Sequence, residues 1–253
     1  MKTTALIAAG GIGERFGAPG GKQLLTVAGK PLAAWAIQAA AEARGVDELV
    51  VVCDPDRTGD YEAQLRAALA TDKPLRFTGG GPTRTASIAA GLTQVSADAD
   101  YILVHDGARP LAKPALFDAA IDELKAAPDV IAGIVTGYPV SDTLKAQREP
   151  EGPTASAAFD LLLISSTVER AGLWQVQTPQ VFCAPALRDA YRQAADAARS
   201  ATDDAGLLEA AGYHLAFLLG PRDNVKVTVK DDLKFVEALL CARSARQQTD
   251  REG

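Results

Sequence analysis

The chain has 253 residues, 47% of them hydrophobic, enough to bury one large core or two small ones. Its 32 acidic against 26 basic side chains leave a net charge of −6, which argues against a nucleic-acid partner and obliges any phosphate site to gather its cations locally. Cys53, Cys183 and Cys241 lie far apart with no C-x-x-C pair, no apolar run approaches membrane-spanning length and the start lacks the form of a signal peptide; a cytoplasmic protein with reduced thiols packed as small hydrophobes is expected.

The first predicted element is a buried strand at Leu6, Ile7, Ala8 and Ala9. It runs into a loop holding Gly10, Gly11, Gly13, Gly17, Gly20 and Gly21, with two fixed cations, Arg15 and Lys22. Glycines let backbone N–H groups approach phosphate oxygens closely, and the cations complement them, so the loop reads as a triphosphate site. It is neither familiar phosphate motif. A Walker A loop would need glycine at Phe16 and Ser or Thr at Gln23, and the dinucleotide fingerprint also needs glycine at Phe16. A plain strand-to-helix connection is the alternative.

Pro31 opens a predicted helix with Leu32, Trp35, Ala36, Ala39 and Ala40 at helical spacing. Residues 48–53 (ELVVVC) form a continuous apolar strand, 61–69 a helix and 75–78 a short strand ending in Gly79-Gly80-Gly81. Residues 84–92 are helical, 101–104 (YILV) a buried strand, 113–126 a helix and 130–135 a strand. This alternation with fully apolar strands implies a parallel sheet covered on both faces, an α/β, Rossmann-like αβα sandwich. Between 138 and 172 the pattern breaks into a polar stretch (141–153) and a mixed one (155–167) with apolar residues 159–164, too long for an ordinary connection and suggestive of an arm, flap or subunit contact. Beyond it, 184–198 and 202–211 are predicted helices, the latter capped by Thr202, Asp203 and Asp204; 214–219 and 225–228 are predicted strands, and 230–242 a last helix before a frayed polar tail from Arg243. No repeat or linker divides the chain, which reads as one domain over 1–253 with an arm at about 138–172.

Ligands of such sheets bind beyond the carboxyl ends of the strands. Three loops meet that condition: the opening glycine loop, residues 79–87, and His105-Asp106-Gly107-Ala108-Arg109-Pro110. An Asp just past a buried strand can hold a divalent cation, and Arg109 offers a planar fork for phosphate. A local Asp106–Arg109 ion pair that only braces a turn is the competing reading. His105 and His214 are the only histidines, and neither has an evident nucleophile for a partner.

The motifs LIAAGGIGERFG, Gly21-Lys22-Gln23, GGPTRTASIAAGL, VHDGARP, Val140-Ser141-Asp142-Thr143, TVERAGLW, QTPQVF, TDDAGLLEAAG and DNVKVT, in this order, closely resemble the 2-C-methyl-D-erythritol 4-phosphate cytidylyltransferase family over nearly the whole chain. The opening loop alone marks only the wider sugar-nucleotide transferase superfamily; VHDGARP with TPQVF and DNVKVT is far more specific. The resemblance implies that CTP and methylerythritol phosphate give a cytidine-diphospho sugar alcohol and pyrophosphate. It assigns Arg15 and Lys22 to stabilising the α-phosphorus transition state. CTP would be held by Ala8, Ala9, Gly10, Gly11, Gly13, Gly81, Ser87 and Gly107. Asp106, Arg109, Thr143, Arg170 and Lys226 would hold the second substrate, with Asp106 also a candidate ligand for Mg²⁺ or another divalent cation. It further implies a homodimer in which the arm carries Thr143 and Arg170 to the neighbour's site.

Two departures stand out. The family usually has proline before the catalytic lysine, where this chain has Gly21, with Pro19 two places earlier. The arm between Lys145 and Thr167 is also longer than usual by roughly ten residues, the scale of a whole ordinary loop. No fused cyclodiphosphate synthase, found in some relatives, is expected. A ribitol 5-phosphate or other polyol-phosphate cytidylyltransferase is the nearest rival; Gly91-Leu92 and TVERAGLW favour methylerythritol phosphate. A non-catalytic nucleotide-binding regulator is the rival of another class, and cations beyond those that would touch CTP argue against it.

Overall fold

Successive side chains of an extended strand point to opposite faces, and β1 (Thr3–Ala8) shows the result: Ala5 and Ile7 enter one apolar cluster, Leu6 another. The computed structural model describes residues 1–11, 16, 21–127, 129–148, 162–199 and 201–252, without the side chains of 244 and 246–252. After β1 come the small hairpin β2 (Thr26–Val27) and β3 (Lys30–Pro31), then α1 (Leu32–Glu42), β4 (Glu48–Cys53), α2 (Thr58–Ala68) and β5 (Leu75–Gly79). Next are α3 (Arg84–Leu92), β6 (Tyr101–Asp106), α4 (Pro114–Ala126) and β7 (Gly133–Pro139). A second hairpin, β8 (Leu144–Gln147) and β9 (Ile164–Val168), precedes β10 (Trp174–Cys183), α5 (Ala184–Asp196), α6 (Asp204–Ala210), β11 (Leu215–Leu219) and α7 (Lys230–Glu252).

The main sheet has the order β11-β7-β10-β6-β1-β4-β5, and every pairing is parallel except those of β10 with β6 and β7. One cluster joins the sheet to α1, α2 and α4 through Ile37, Leu65, Phe117 and Ile121. The other joins it to α3, α5 and α6 through Ile88, Leu187, Tyr191 and Leu208. This is the expected mostly parallel sheet between two helical layers. A third cluster, with Phe16, Val27, Leu32, Leu111, Val227 and Val236, packs α7 over the small hairpin beside the sheet's upper edge.

Several expectations need correction. Residues 225–228 form no strand; Val227 is buried in the third cluster, and its N–H donates to Ala108 O at 2.8 Å. Their alternating pattern arises from one side chain packed down and one turned to the loops. The tail from Arg243 is not frayed: α7 runs on to Glu252, and Arg243 donates to Leu111 O (2.8 Å) and Asp223 (2.9 Å). The strand expected at 130–135 begins only at Gly133, after an exposed Val130. Cys241 is exposed, so only Cys53 behaves as a fully buried small hydrophobe. β10 had no counterpart among the predicted strands. The expected break at 138–172 contains the β8–β9 ribbon, whose second strand is exposed throughout; the first half of the apolar stretch 159–164 lies outside the described residues, while Leu162, Leu163 and Ile164 are exposed. Among the described residues no helix is long and apolar enough to cross a membrane.

One buried carboxylate braces the lower end of the sheet. Glu48 accepts from Thr4 Oγ1 (2.7 Å), Ser96 Oγ (2.9 Å) and Ser96 N (3.2 Å), and pairs with Lys2 at 3.5 Å. Burial alone would raise its pKa, but the hydrogen bonds from Thr4 and Ser96, helped by Lys2, bring it from 4.5 down to about 2. A depressed value means that its stabilisation is complete above about 4.5 and is lost as the pH falls towards 2. Between pH 6 and pH 3 the protein is therefore expected to lose roughly 2 kcal/mol more unfolding free energy than Glu48→Gln. Urea unfolding of both proteins at the two pH values tests this; parallel losses would refute it.

Candidate active site

The register brings four strand ends to one level, pairing Ala8 with Val52 and Asp106, and Cys53 with Gly79. The chain builds outward from β1 through β4 to β5, then returns to place β6 on the other side of β1. The loops beside β1 therefore diverge, which is where ligands bind in such sheets. A cavity of about 710 Å³ opens there, lined by residues that follow β1, β4, β5 and β6, a size suited to a nucleotide-sized ligand.

The opening loop enters the cavity through Gly10 and Gly11. A Cβ on Gly10 would sit 2.9 Å from the Cys53 carbonyl, so the close passage of the two backbones requires glycine there. Ala8 lines the cavity, whereas Ala9 is buried and does not; its N–H donates to Val52 O at 2.7 Å. Gly13 and Arg15 lie outside the described residues. Lys22 is buried in the cavity wall, its ammonium 2.5 Å from Val227 O. Gly21 has φ +80°, which the proline ring cannot adopt. The departure at this position is thus a change of backbone path, and a loop that enters a lysine through proline must follow another.

Ser87 and Gly81 close the second loop on itself: the Ser87 hydroxyl accepts from Gly81 N (3.1 Å) and donates to Gly81 O (3.0 Å). Thr83 caps α3 by accepting from Ala86 N at 3.0 Å. Both Gly81 and Ser87 line the cavity. Arg84, between them, was not anticipated. Its guanidinium lines the cavity and is anchored from behind at 2.6 Å by Asp204, a fully buried carboxylate that also accepts from Tyr191 Oη at 2.5 Å. Asp203 caps α6, as the sequence suggested for this acidic cluster.

The third loop carries the electrostatic focus. Asp106 Oδ2 lies 2.8 Å from Lys226 Nζ and 3.6 Å from Arg109 Nε, the second an ion pair too long for a hydrogen bond. Burial favours its neutral form, but Lys226, Arg109 and Arg84 outweigh this and hold the carboxylate ionised well below the usual range. Burial weakens the charge on Arg109 and lowers its pKa, against the pull of Asp106. Gly107 N donates to Ala8 O at 2.9 Å and so fixes the loop from just outside the cavity lining.

His105 does have a hydroxyl partner: Nδ1 is 3.0 Å from Thr178 Oγ1, which accepts the Asp106 N–H at 3.0 Å. Both side chains are buried, and burial drives the imidazole pKa down to about 3. This neutral pair braces β6 against β10 and presents no nucleophile.

Arg109 and Lys226 thus meet at Asp106, and Lys22 enters the same cavity beside Asp106 and Lys226 through its bond to Val227 O. Thr143 and Arg170 do not join them. Thr143 lies just before β8 and Arg170 in the turn between β9 and β10, both exposed on the arm and outside the cavity. Also unanticipated were Asp54, Pro55 and Asp56, which line the cavity after β4. The rule that led to the other three loops covers them equally, since they follow a fully apolar strand. Among the described residues no group of three or more His, Cys, Asp or Glu could hold a metal ion.

A family model described as IspD: 2-C-methyl-D-erythritol 4-phosphate cytidylyltransferase matches residues 3–242. Proteins of that name from a Synechococcus strain and from Thermosynechococcus vestitus are 38% and 37% identical to this chain, over 94% and 96% of it and 96% and 97% of theirs. The crystal structure of 2-C-methyl-D-erythritol 4-phosphate cytidylyltransferase from Thermus thermophilus is similar at TM-score 0.69 and 31% identity, covering 95% of this chain and 99% of that one. That of 4-diphosphocytidyl-2C-methyl-D-erythritol synthase from Anaerococcus prevotii, at 23% identity, shares the fold with TM-score 0.76 over 94% of this chain and 96% of its own. By sequence over almost its full length, the chain belongs to the 2-C-methyl-D-erythritol 4-phosphate cytidylyltransferase family.

Proposed function

We infer that the protein transfers the cytidylyl group of CTP to 2-C-methyl-D-erythritol 4-phosphate. The observation that carries the reading is a nucleotide-sized cavity lined by Lys22, Lys226 and Asp106, the last also paired with Arg109. An oxygen of the substrate phosphate attacks the α-phosphorus; the new P–O bond forms as the bond to the bridging oxygen of the β-phosphate breaks, and pyrophosphate leaves. A phosphate monoester has a second pKa of about 6, so the nucleophile is already largely anionic at neutral pH and needs no base. A neutral, enclosed His105 agrees with that economy. What remains is to hold two polyanions together and offset charge on the α-phosphorus, which is positioning and electrostatics.

In this reading Gly10, Gly11, Gly81 and Ser87 cradle the nucleotide, and Lys22 with Arg15 faces the reacting phosphorus. Arg109 and Lys226 hold the polyol phosphate, and Asp106 keeps those two cations in place. A divalent cation carried by the triphosphate needs few protein oxygens, because phosphates and waters supply the others. Asp106 suits that role: its ion pairs both fall on Oδ2, leaving Oδ1 as the donor. Such a cation would neutralise phosphate charge. Thr143 and Arg170, exposed at one end of a ribbon whose other end displays Leu162, Leu163 and Ile164, suit a homodimer in which each arm completes the neighbouring site.

Pyrophosphate release with CTP, Mg²⁺ and either polyol phosphate tests the reading. Turnover is expected with methylerythritol phosphate and at a far lower kcat/KM with ribitol 5-phosphate. Preference for ribitol 5-phosphate would reassign the substrate, and release with neither would leave a nucleotide-binding regulator.

A further inference from the structure

The segment that carries Lys226 touches every described cation of the proposed transfer site, and it belongs to no helix or strand. Arg109 donates to Asn224 O at 2.7 Å, Lys22 donates to Val227 O at 2.5 Å, and Lys226 reaches Asp106 at 2.8 Å. Regular structure does not hold these three contacts in register. Val227, through its buried side chain and its N–H on Ala108 O, holds one end, and the side chain of Asn224 holds the other. Asn224 is fully buried, and its Nδ2 donates to Thr178 O at 2.9 Å and to Gln177 Oε1 at 3.4 Å. Gln177 answers from β10, its Nε2 donating to Pro221 O (2.9 Å) and Asn224 O (3.3 Å). Thr178, whose carbonyl receives Asn224, has its hydroxyl on the Asp106 N–H. One amide therefore ties the cation-bearing segment to Gln177 and Thr178 of β10, the second of which also braces Asp106.

We propose that Asn224 is a positioning residue for cytidylyl transfer, a buried bracket that sets Arg109 and Lys226 against Asp106 and Lys22 against Val227 O. The proposal rests on the substrate reading above. Its mark is an asymmetry. Among the described residues, Gly80, Gly81 and Ser87 of the second nucleotide loop hydrogen-bond to Cys53, to Thr83 and to one another, and not to this bracket. Loosening the bracket should thus disturb the polyol phosphate and the reacting geometry and spare CTP. A misplacement of about 1 Å costs about 100-fold in rate.

Asn224→Ala is expected to lower kcat/KM for methylerythritol phosphate by about 100-fold, through both constants, with CTP affinity by calorimetry within about twofold of the parent. Gln177→Met trims the bracket from the β10 side at nearly constant length and should give the same asymmetry at about tenfold. Both variants should unfold cooperatively near the parent temperature. Equal losses for the two substrates, parental kinetics in either variant, or loss of cooperative unfolding in both would overturn the proposal, the last by making Asn224 a plain core residue. The unaltered enzyme in the same assay reports on the substrate reading separately. Should it release no pyrophosphate, that reading fails, and Asn224 is judged on binding alone: methylerythritol phosphate weakened about tenfold in Asn224→Ala with CTP unchanged, against equal effects on both.

Discussion

Lys22→Ala is expected to reduce kcat by roughly 100- to 1000-fold and to leave both KM values within about threefold, the effect of removing one preorganised transition-state donor. The ammonium sits in the cavity wall with almost no solvent exposure. There its charge is screened less than a surface lysine's would be. Its bond to Val227 O holds it in place before any substrate arrives, so little reorganisation is left for the reaction itself. In the reading proposed above, the triphosphate in the ground state would have other partners in the loop N–H groups. Only as charge collects on the α-phosphorus does the lysine become hard to replace, and such an interaction shows in kcat. Lys22→Arg should recover part of the rate, because a planar guanidinium keeps the charge and misplaces it. Steady-state kinetics on both variants decide the matter. An unchanged kcat with a raised KM in Lys22→Ala would make Lys22 a binding residue only.

The sequence made the βα framework legible because its strands are apolar throughout and its helices repeat at 3.6 residues; β4 and α3 have the bounds expected from pattern alone. β10 escaped for a physical reason. It carries Gln175, Gln177, Pro179 and Gln180, a composition that argues against a central strand. The structure accommodates them individually. Pro179 falls where the pairing register with β7 shifts, Gln177 braces the segment at Asn224, and Gln180 reaches Asp203 at 3.0 Å. The site residues found from the residues themselves, before any family resemblance, were those adjacent to glycines or strand ends. Asn224 and Arg84 were not, because what gives them meaning is a partner distant in sequence: Gln177 and Thr178 for one, Asp204 and Tyr191 for the other. No local pattern announces a contact between residues 84 and 204.

That contact supplies the second large expected effect. Asp204→Ala should cost about 3–5 kcal/mol of unfolding free energy, the usual result of breaking a buried ion pair from one side. The carboxylate is fully buried at the start of α6 and has two committed partners, Arg84 and the Tyr191 hydroxyl. Burial lowers the pKa of Arg84, but Asp204 more than reverses it, so the guanidinium stays charged. For Tyr191, burial and then the adjacent carboxylate both push the phenol up, so it stays a donor. Removing Asp204 leaves a largely enclosed cation without its counter-charge and a hydroxyl without its acceptor. A buried pair can nonetheless be replaced as a unit at little cost. The double variant Arg84→Met with Asp204→Asn, which keeps an acceptor for Tyr191, should return to within about 1 kcal/mol of the parent. Stability and function then part. Arg84 also lines the cavity, and its guanidinium has Asp204 as its one hydrogen-bond partner among the described residues, leaving donors for a ligand. The restored double variant should therefore bind CTP about tenfold more weakly, the loss of one charged hydrogen bond. Urea midpoints and calorimetric CTP affinities separate the two effects. Parental CTP affinity in the stable double variant would reduce Arg84 to a structural role, and a cost below about 1 kcal/mol for Asp204→Ala would remove the pair from the account of stability.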